Sequence, residues 1–438
     1  MRAKLLIADK KGRIVEHPTL EMAGRSGDAF TRADPGELIP VPEGTKTFFL
    51  PGSTAVGYDP AKKRTVALPG YRAVAAMLQA GYTRTLLPAA EYGPGGPGGY
   101  GCHSYLPLWA YAAVGWRDGQ MVASAFRVDP MTHSETEHYD DRLIAPRVEE
   151  KTRGTKNRLI THLAKCALEY HCFAAKNYFM ERWAAPLPTA TACNARCVGC
   201  ISLQPSDCCP ASQDRIGFVP TVDELCEVAV PHLDKVKRGI VSFGQGCEGE
   251  PLLSGDRIAE AVASFRASTG KGTIHLNTNG SLPDTVEKIA RAGLDSMRIS
   301  LNSALAGTYN AYYRPKGYTF GDVVETITRA RRMGLYVSLN LLVFPGVTDH
   351  PEEADALFSL VEATGVNMVH FRNLSIDPRL YLDSLKNIER KRVGPLGIRK
   401  LAVRLKTEFP ELDLGYFNRP KEDFKAPLVD LDFIKKPF

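Results

Sequence analysis

Three cysteines fall within eight residues, Cys193, Cys197 and Cys200, in a C-x3-C-x2-C spacing. Thiolates that close together on one loop can hold three corners of a four-iron cluster and leave the fourth iron without a protein ligand. An open iron is a place for a substrate or cofactor to bind, whereas a fully ligated cluster mainly passes electrons. The competing assignment is a zinc site or an inert cluster in a non-catalytic, metal-stabilised binding protein. Structural zinc takes four ligands in paired C-x2-C knuckles, and no second knuckle follows here. The spacing favours iron and sulfide. Seven other cysteines complete the ten: Cys102, Cys166, Cys172, Cys208, Cys209, Cys226 and Cys247. Cys172 and its neighbour His171 read as packing residues, and Cys208 with Cys209 as a plain reduced pair.

The elements that would position such a loop alternate with unusual regularity. Strands are expected just before Cys193 and at Ile240–Phe243, Thr273–Thr278, Ser296–Leu301, Tyr336–Val343 and Val366–Phe371. Helices are expected between them at Val222–Leu233, Arg257–Ser268, Thr285–Ala292, Phe320–Met333 and Glu352–Ala363. Six strands with intervening helices imply a parallel sheet with right-handed crossovers, three-quarters of an eight-stranded barrel. The fold class is therefore α/β, a partial (βα)6 TIM-like barrel preceded by a mixed α+β, strand-rich domain. Residues 1–148 form that N-terminal domain, with short strands at Leu5–Ala8, Thr47–Leu50, Thr65–Leu68 and Met121–Phe126 and a helix at Tyr71–Gln79. A connecting helix over 156–181 lies in the linker 149–185, the barrel spans 186–378, and a helical extension with a helix at Ile398–Thr407 fills 379–438. The glycine-rich run Tyr92–Gly101 lacks a strand-to-helix setting and reads as a loop, not a phosphate cradle.

Strands of a parallel sheet covered on both sides are usually unbroken apolar runs. These are not. His275, Asn277 and Asn279 alternate with apolar neighbours, as do Arg298, Ser300 and Asn302, then Ser338 and Asn340, then His370 and Arg372. Residues two apart share a face of a strand, so one face of four successive strands is polar. With helices on the apolar face, the polar one lines a concave interior where an unidentified substrate would lie.

At 438 residues, with 44% apolar and 24% charged residues, the chain has the make-up of a globular enzyme of two or three domains. The longest apolar stretch, near 106–116, is too short to cross a bilayer, and the N-terminus lacks a signal-peptide pattern. A cytoplasmic location with reduced thiols is expected. The net charge of +6 permits a nucleic-acid partner without arguing for one.

The cysteine spacing resembles that of the radical S-adenosylmethionine (SAM) superfamily, and further segments match. Gly249-Glu250-Pro251 is similar to the family's Gly-Gly-Glu-Pro, with Glu248 in place of the first glycine. Ser300 and Asn302 resemble its fourth-strand polar pair, with Asn340 a further candidate on the fifth strand. Asn277-Thr278-Asn279-Gly280 is similar to the Thr-Asn-Gly of the molybdenum-cofactor cyclases, and the turn 344–349 to loops in related members. The resemblance covers about residues 186–378. It implies a [4Fe–4S] cluster on Cys193, Cys197 and Cys200 and SAM contacts at Gly249, Glu250, Asn277, Ser300, Asn302 and Asn340. It also implies an electron donor such as ferredoxin or flavodoxin, and formation of a 5′-deoxyadenosyl radical that takes hydrogen from substrate. Arg298, His370 and Arg372, with His275, remain as catalytic residues on the substrate side. No cysteine follows Cys247, which argues against a C-terminal auxiliary cluster and a late methyl-carrying cysteine; an RNA-modifying member of the family remains an alternative.

Overall fold

A computed structural model describes residues 2–93, 96, 105–132, 140–204 and 209–436. Most of the glycine-rich run, together with Cys102 and Cys208, lies outside the described residues.

Seven strands form one parallel sheet in chain order: Ala184–Pro186, Ile240–Phe243, Thr273–Thr278, Ser296–Leu301, Tyr336–Val343, Met368–Asn373 and Asp413–Gly415. The first six alternate with helices as a curled, TIM-like partial barrel. Register sets the ranks of side chains inside the curl, pairing Asn277 with Arg298, Ser300 with Asn340, and Leu342 with Arg372. The apolar sides of these strands, among them Ile274, Leu276, Ile299 and Leu339, are buried beneath the helices, and Phe371 packs on Phe126 of the N-terminal sheet. The crossover helices are α4 (Val222–Lys235), α5 (Gly255–Ser268), α6 (Pro283–Arg291), α8 (Phe320–Arg332) and α9 (Pro351–Thr364), preceded by α1 (Ile144–Thr152), α2 (Arg158–Leu168) and α3 (Phe173–Phe179). Thr221 and Glu224 close a reciprocal capping box at the start of α4.

Three expectations are corrected. The helix at Tyr71–Gln79 is a strand, Arg72–Met77, paired with strands on both sides. Its alanines suit a helix by propensity, but all four residues Ala73–Ala76 are buried between neighbouring strands, and pairing overrides propensity. The helix over 156–181 is two helices, because His171 takes a left-handed conformation (φ 52°) and turns the chain. The region 379–438 is not only helical: it returns the seventh strand to the barrel sheet, between α11 (Ile398–Glu408) and the tail. Two helices, α7 (Ala306–Tyr313) and α10 (Pro378–Ser384), carry no clear periodic signal and were not expected. Among the described residues, no helix is long and apolar enough to cross a membrane.

Residues 4–127 build a large antiparallel sheet and a small three-stranded one. This part docks on the sixth strand of the barrel. The Thr83 hydroxyl donates to the Phe371 carbonyl (2.6 Å), the Arg84 N–H to Asn373 Oδ1 (2.9 Å), and Asn373 Nδ2 to the Tyr82 carbonyl (2.9 Å). The Arg84 side chain is fully buried and donates to the carbonyls of Tyr111 (2.8 Å) and Leu374 (2.7 Å), joining the two parts. The turn 344–349 also serves this contact, since the Gly27 N–H donates to the Pro345 carbonyl (2.8 Å). Replacing Arg84 by methionine keeps the apolar stem but strands two buried acceptors. A loss of about 2–4 kcal/mol is expected, read as a lower urea midpoint by tryptophan fluorescence; an unchanged midpoint would show that docking does not depend on it.

Candidate functional site

The cysteine loop leaves the first strand and is held on two sides by backbone groups that its own sequence cannot satisfy. The N–H groups of Arg196 and Val198 donate to the carbonyls of Tyr313 (2.9 Å) and Tyr312 (3.0 Å). Those carbonyls end α7, where a helix leaves acceptors without intrahelical partners. Asn194 fastens the other side: its Nδ2 donates to Ser281 Oγ (2.9 Å), and its Oδ1 accepts from Asn279 Nδ2 (2.8 Å). Burial pushes the Cys193 thiol up to about 11. It raises Cys197 further, with added repulsion from Cys200 and Cys193. Three clustered thiolates therefore need cationic partners to exist together.

The donor set fits a cluster better than a single ion. Sulfurs around one tetrahedral zinc, at Zn–S of about 2.3 Å, stand about 3.8 Å apart. Among the described residues, the group of three donor atoms lying within 4.8 Å of one another belongs to His162, Cys166 and Cys247, not to the loop cysteines. Cys193, Cys197 and Cys200 instead line one side of a shared cavity of about 460 Å³, a volume suited to a cofactor-sized ligand. Among the described residues, three buried polar atoms of its lining find no partner: Arg298 Nε, Asn340 Oδ1 and the Tyr313 hydroxyl. Buried polar groups are normally hydrogen-bonded, so such atoms mark a wall built to meet a ligand.

The loop after the second strand lines the cavity and packs on neighbouring backbone with no room for a side chain at two glycines. A Cβ on Gly249 would lie 1.8 Å from the Ala192 carbonyl oxygen, and one on Gly244 would lie 1.7 Å from that of Asn277. Only glycine fits at either place. The N–H groups of Gly249 and Glu250 donate to the carbonyls of Ala190 (2.7 Å) and Ala192 (2.8 Å), so this segment spends its donors on the irregular stretch that leads to the cysteines. An amino group bound here would meet carbonyl acceptors, as an ammonium requires. Glu248, where the resembling family has glycine, turns inward. Its carboxylate accepts from the N–H groups of Thr189 (2.7 Å), Ala190 (2.9 Å), Gly244 (2.5 Å) and Gln245 (3.0 Å). Glu250 likewise accepts from the N–H groups of Asn279 (2.8 Å) and Leu252 (3.1 Å) and from the Thr278 hydroxyl. Burial raises both carboxyls to about 7, against the pull of those hydrogen bonds.

Of the residues singled out from sequence, Gly249, Glu250, Asn277, Asn279, Arg298, Ser300, Asn340 and Arg372 line the cavity with the three cysteines. Asn302, His275 and His370 are not among its lining residues. Asn302 is buried behind the wall, with its Nδ2 on the Tyr381 hydroxyl (3.1 Å) and the Thr308 carbonyl (3.2 Å). His275 lies beneath Asn277, bonded through Nδ1 to Ser296 Oγ (2.7 Å) and through Nε2 to Asn277 Oδ1 (3.2 Å). Burial, aided by Arg298, depresses it to about 3. His370 shares a face with Arg372, but Nδ1 pairs with the Tyr416 carbonyl (3.1 Å), and burial with the charge of Arg298 keeps the ring neutral. Alternation along a strand gives the face but not which position a later segment covers. Tyr416, just past the seventh strand, supplies that cover.

Several lining residues carried no sequence signal. Arg215 points a guanidinium Nη2 at Cys200 Sγ (3.8 Å) and Nε at Ser202 Oγ (3.3 Å) from an irregular loop. The Tyr416 ring stacks under the Arg372 guanidinium at 4.5 Å. Its backbone is fixed from the N-terminal part, where Asp129 Oδ2 accepts from the N–H groups of Tyr416 (2.7 Å) and Phe417 (3.0 Å).

Residues 187–358 match the family model described as the Radical SAM superfamily. A probable GTP 3′,8-cyclase of Pyrobaculum aerophilum is 28% identical over 162 residues, 35% of this chain and 51% of that protein. A GTP 3′,8-cyclase of Aquifex aeolicus is 31% identical over 102 residues, 23% of this chain and 31% of that protein. The chain thus spans about half the length, or less, of these curated relatives. Among solved structures, methylornithine synthase aligns with a TM-score of 0.37 and 18% identity, covering 64% of this chain and 76% of that one.

The close approach at Gly249 makes a direct prediction. A Gly249→Ala chain has to push the loop away from Ala192, so SAM affinity falls at least tenfold by equilibrium dialysis while iron and sulfide content stays at the unsubstituted level. Unchanged affinity would show that this segment does not meet the cofactor.

Proposed function

We propose that this chain, a member of the radical SAM superfamily, cleaves SAM reductively at a [4Fe–4S] cluster on Cys193, Cys197 and Cys200 and uses the radical on an anionic substrate. When bound, the cluster and SAM together supply an electron and a 5′-deoxyadenosyl radical, released with methionine, that can take hydrogen from an unactivated carbon. The protein's residues hold the reactants and exclude water. The Gly249–Glu250 segment presents carbonyl acceptors to the cofactor's amino group, and Ser300, Asn277 and Asn340 offer hydrogen bonds along the cavity wall. Arg215 places positive charge beside Cys200 and offsets the negative charge of the thiolates. The electron comes from a small reductant of the ferredoxin or flavodoxin kind.

The observation that carries the substrate class is the pair of arginines in the polar wall. Among the described residues, neither Arg298 nor Arg372 makes an ion pair with a carboxylate. Arg298 donates only to Asn418 Oδ1 (3.0 Å), and its Nε is unmatched. Burial, reinforced by the like charge of Arg372, makes the guanidinium costly. A carboxylate or phosphate between them relieves that cost and is held by planar, fork-like donors. The partial similarity to GTP cyclases favours a nucleotide phosphate as one member of this class.

The first test is 5′-deoxyadenosine release by anaerobically reconstituted protein given SAM and dithionite, beside a Cys197→Ala chain. Release from the unsubstituted protein alone is expected; release from both would remove the cluster from the reaction. The second adds carboxylates and phosphates, GTP included, as candidate substrates. Compounds that raise the release should be anionic, and Arg298→Met should raise their half-saturating concentration at least tenfold. Stimulation confined to neutral compounds would refute the substrate class.

A further inference from the structure

Outside the cavity, α2 and the loop after the second barrel strand bring together another set of donors. His162 and Cys166 stand one turn apart on α2, a spacing that puts both on one helix face. Cys247 arrives from the loop that follows Phe243. One ligand atom from each, an imidazole nitrogen and two thiol sulfurs, lies within 4.8 Å of the other two. The Cys166 sulfur is 3.5 Å from His162 Nε2. Cys166 and Cys247 are 1% and 3% exposed, while His162 is half-buried and reaches the surface, giving an ion a way in.

We propose that His162, Cys166 and Cys247 bind a zinc ion, in a site separate from the cysteine loop that faces the cavity. Two thiolates and an imidazole are the soft and borderline donors that zinc takes. Around a tetrahedral zinc, with Zn–S of about 2.3 Å and Zn–N of about 2.0–2.1 Å, a sulfur and a nitrogen stand about 3.5 Å apart. That is the separation found between Cys166 and His162, so the side chains need little movement to close on an ion. The fourth position falls to water or to Cys172, which sits on the turn after α2 with its N–H bonded to the Cys166 carbonyl (3.0 Å). The placement has a mechanical consequence. Cys247 directly precedes Glu248 and Gly249, so a metal there ties helix α2 to the loop that lines the cavity.

The site is independent of the reaction proposed above, and its test reads metal, not turnover. Anaerobically prepared protein carrying its iron is supplied with zinc chloride, desalted, and assayed for zinc and iron together with zinc K-edge X-ray absorption, which iron does not obscure. One zinc per chain is expected, with two or three sulfurs and one histidine nitrogen in its shell. His162→Gln, at a half-buried helix position that tolerates a polar side chain, should weaken zinc binding roughly 100-fold, the upper range for losing ligand support, and remove the nitrogen signal. A chain with Cys193, Cys197 and Cys200 all replaced by alanine should lose iron and keep zinc. The proposal is overturned if no zinc is retained, if zinc is lost with the loop cysteines instead of with His162, or if peptide mapping finds Cys166 and Cys247 joined as a disulfide without metal.

Discussion

The site depends on how closely two pieces of backbone lie at the top of the first two barrel strands. The stretch leading from the first strand to the cysteines and the loop after the second strand touch so tightly that a single Cβ at Gly249 would enter the Ala192 carbonyl. Such an approach is stable only if every polar group on both pieces is matched. Glu248 and Glu250 do this from below, each carboxylate accepting several N–H donors that would otherwise be buried alone. A carboxylate gathering four backbone N–H groups acts as a knot, tying Thr189 and Ala190 to Gly244 and Gln245. This explains how a glutamate can stand where the resembling family has glycine. Its carboxylate is occupied by these backbone N–H groups, while the approach itself is made by Gly249.

Charge in the cavity follows from the same economy of partners. The strands bring Arg298 and Arg372 to the polar wall without bringing an acid to match them; the acids that line the cavity, Glu248 and Glu250, come from the loop after the second strand and are held by backbone N–H groups. A guanidinium cannot shed its charge to escape burial as an imidazole can. The two histidines nearby do take that route, buried and neutral, paired to a hydroxyl, an amide and a backbone carbonyl. The result is a polar wall with fixed positive charge on the strands, at Arg298 and Arg372, and a further guanidinium, Arg215, beside Cys200.

The strand-rich N-terminal part has a role that reaches the cavity indirectly. Asp129 holds the backbone at Tyr416, Tyr416 lies under Arg372, and Thr83 with Arg84 secures the sixth strand that carries Arg372. Docking and cavity geometry are thus mechanically joined, and Arg84, fully buried with donors to both parts, is the centre of that joint.

Much of this was legible in the sequence. The cysteine spacing, the alternation of strands and helices, and the polar face of four strands depend on local order alone, because spacing fixes which side chains share a loop or a face. So Cys193, Cys197, Cys200, Arg298, Ser300, Asn340 and Arg372 were found from the chain as written. Other features arise from contacts between residues far apart in sequence, and local pattern holds no trace of them. The alanines of 73–76 form a strand only because partners lie on both edges. Arg215 lines the cavity because an irregular loop folds back over it. Asn302 and His370 leave the cavity wall because later segments, at Tyr381 and Tyr416, hold them, and His275 because it is buried beneath Asn277 against Ser296. The sequence by itself determined the chemistry this chain can carry and the face that carries it; the tertiary structure decided which of those groups stay open to a ligand, since burial depends on what the rest of the chain lays over them.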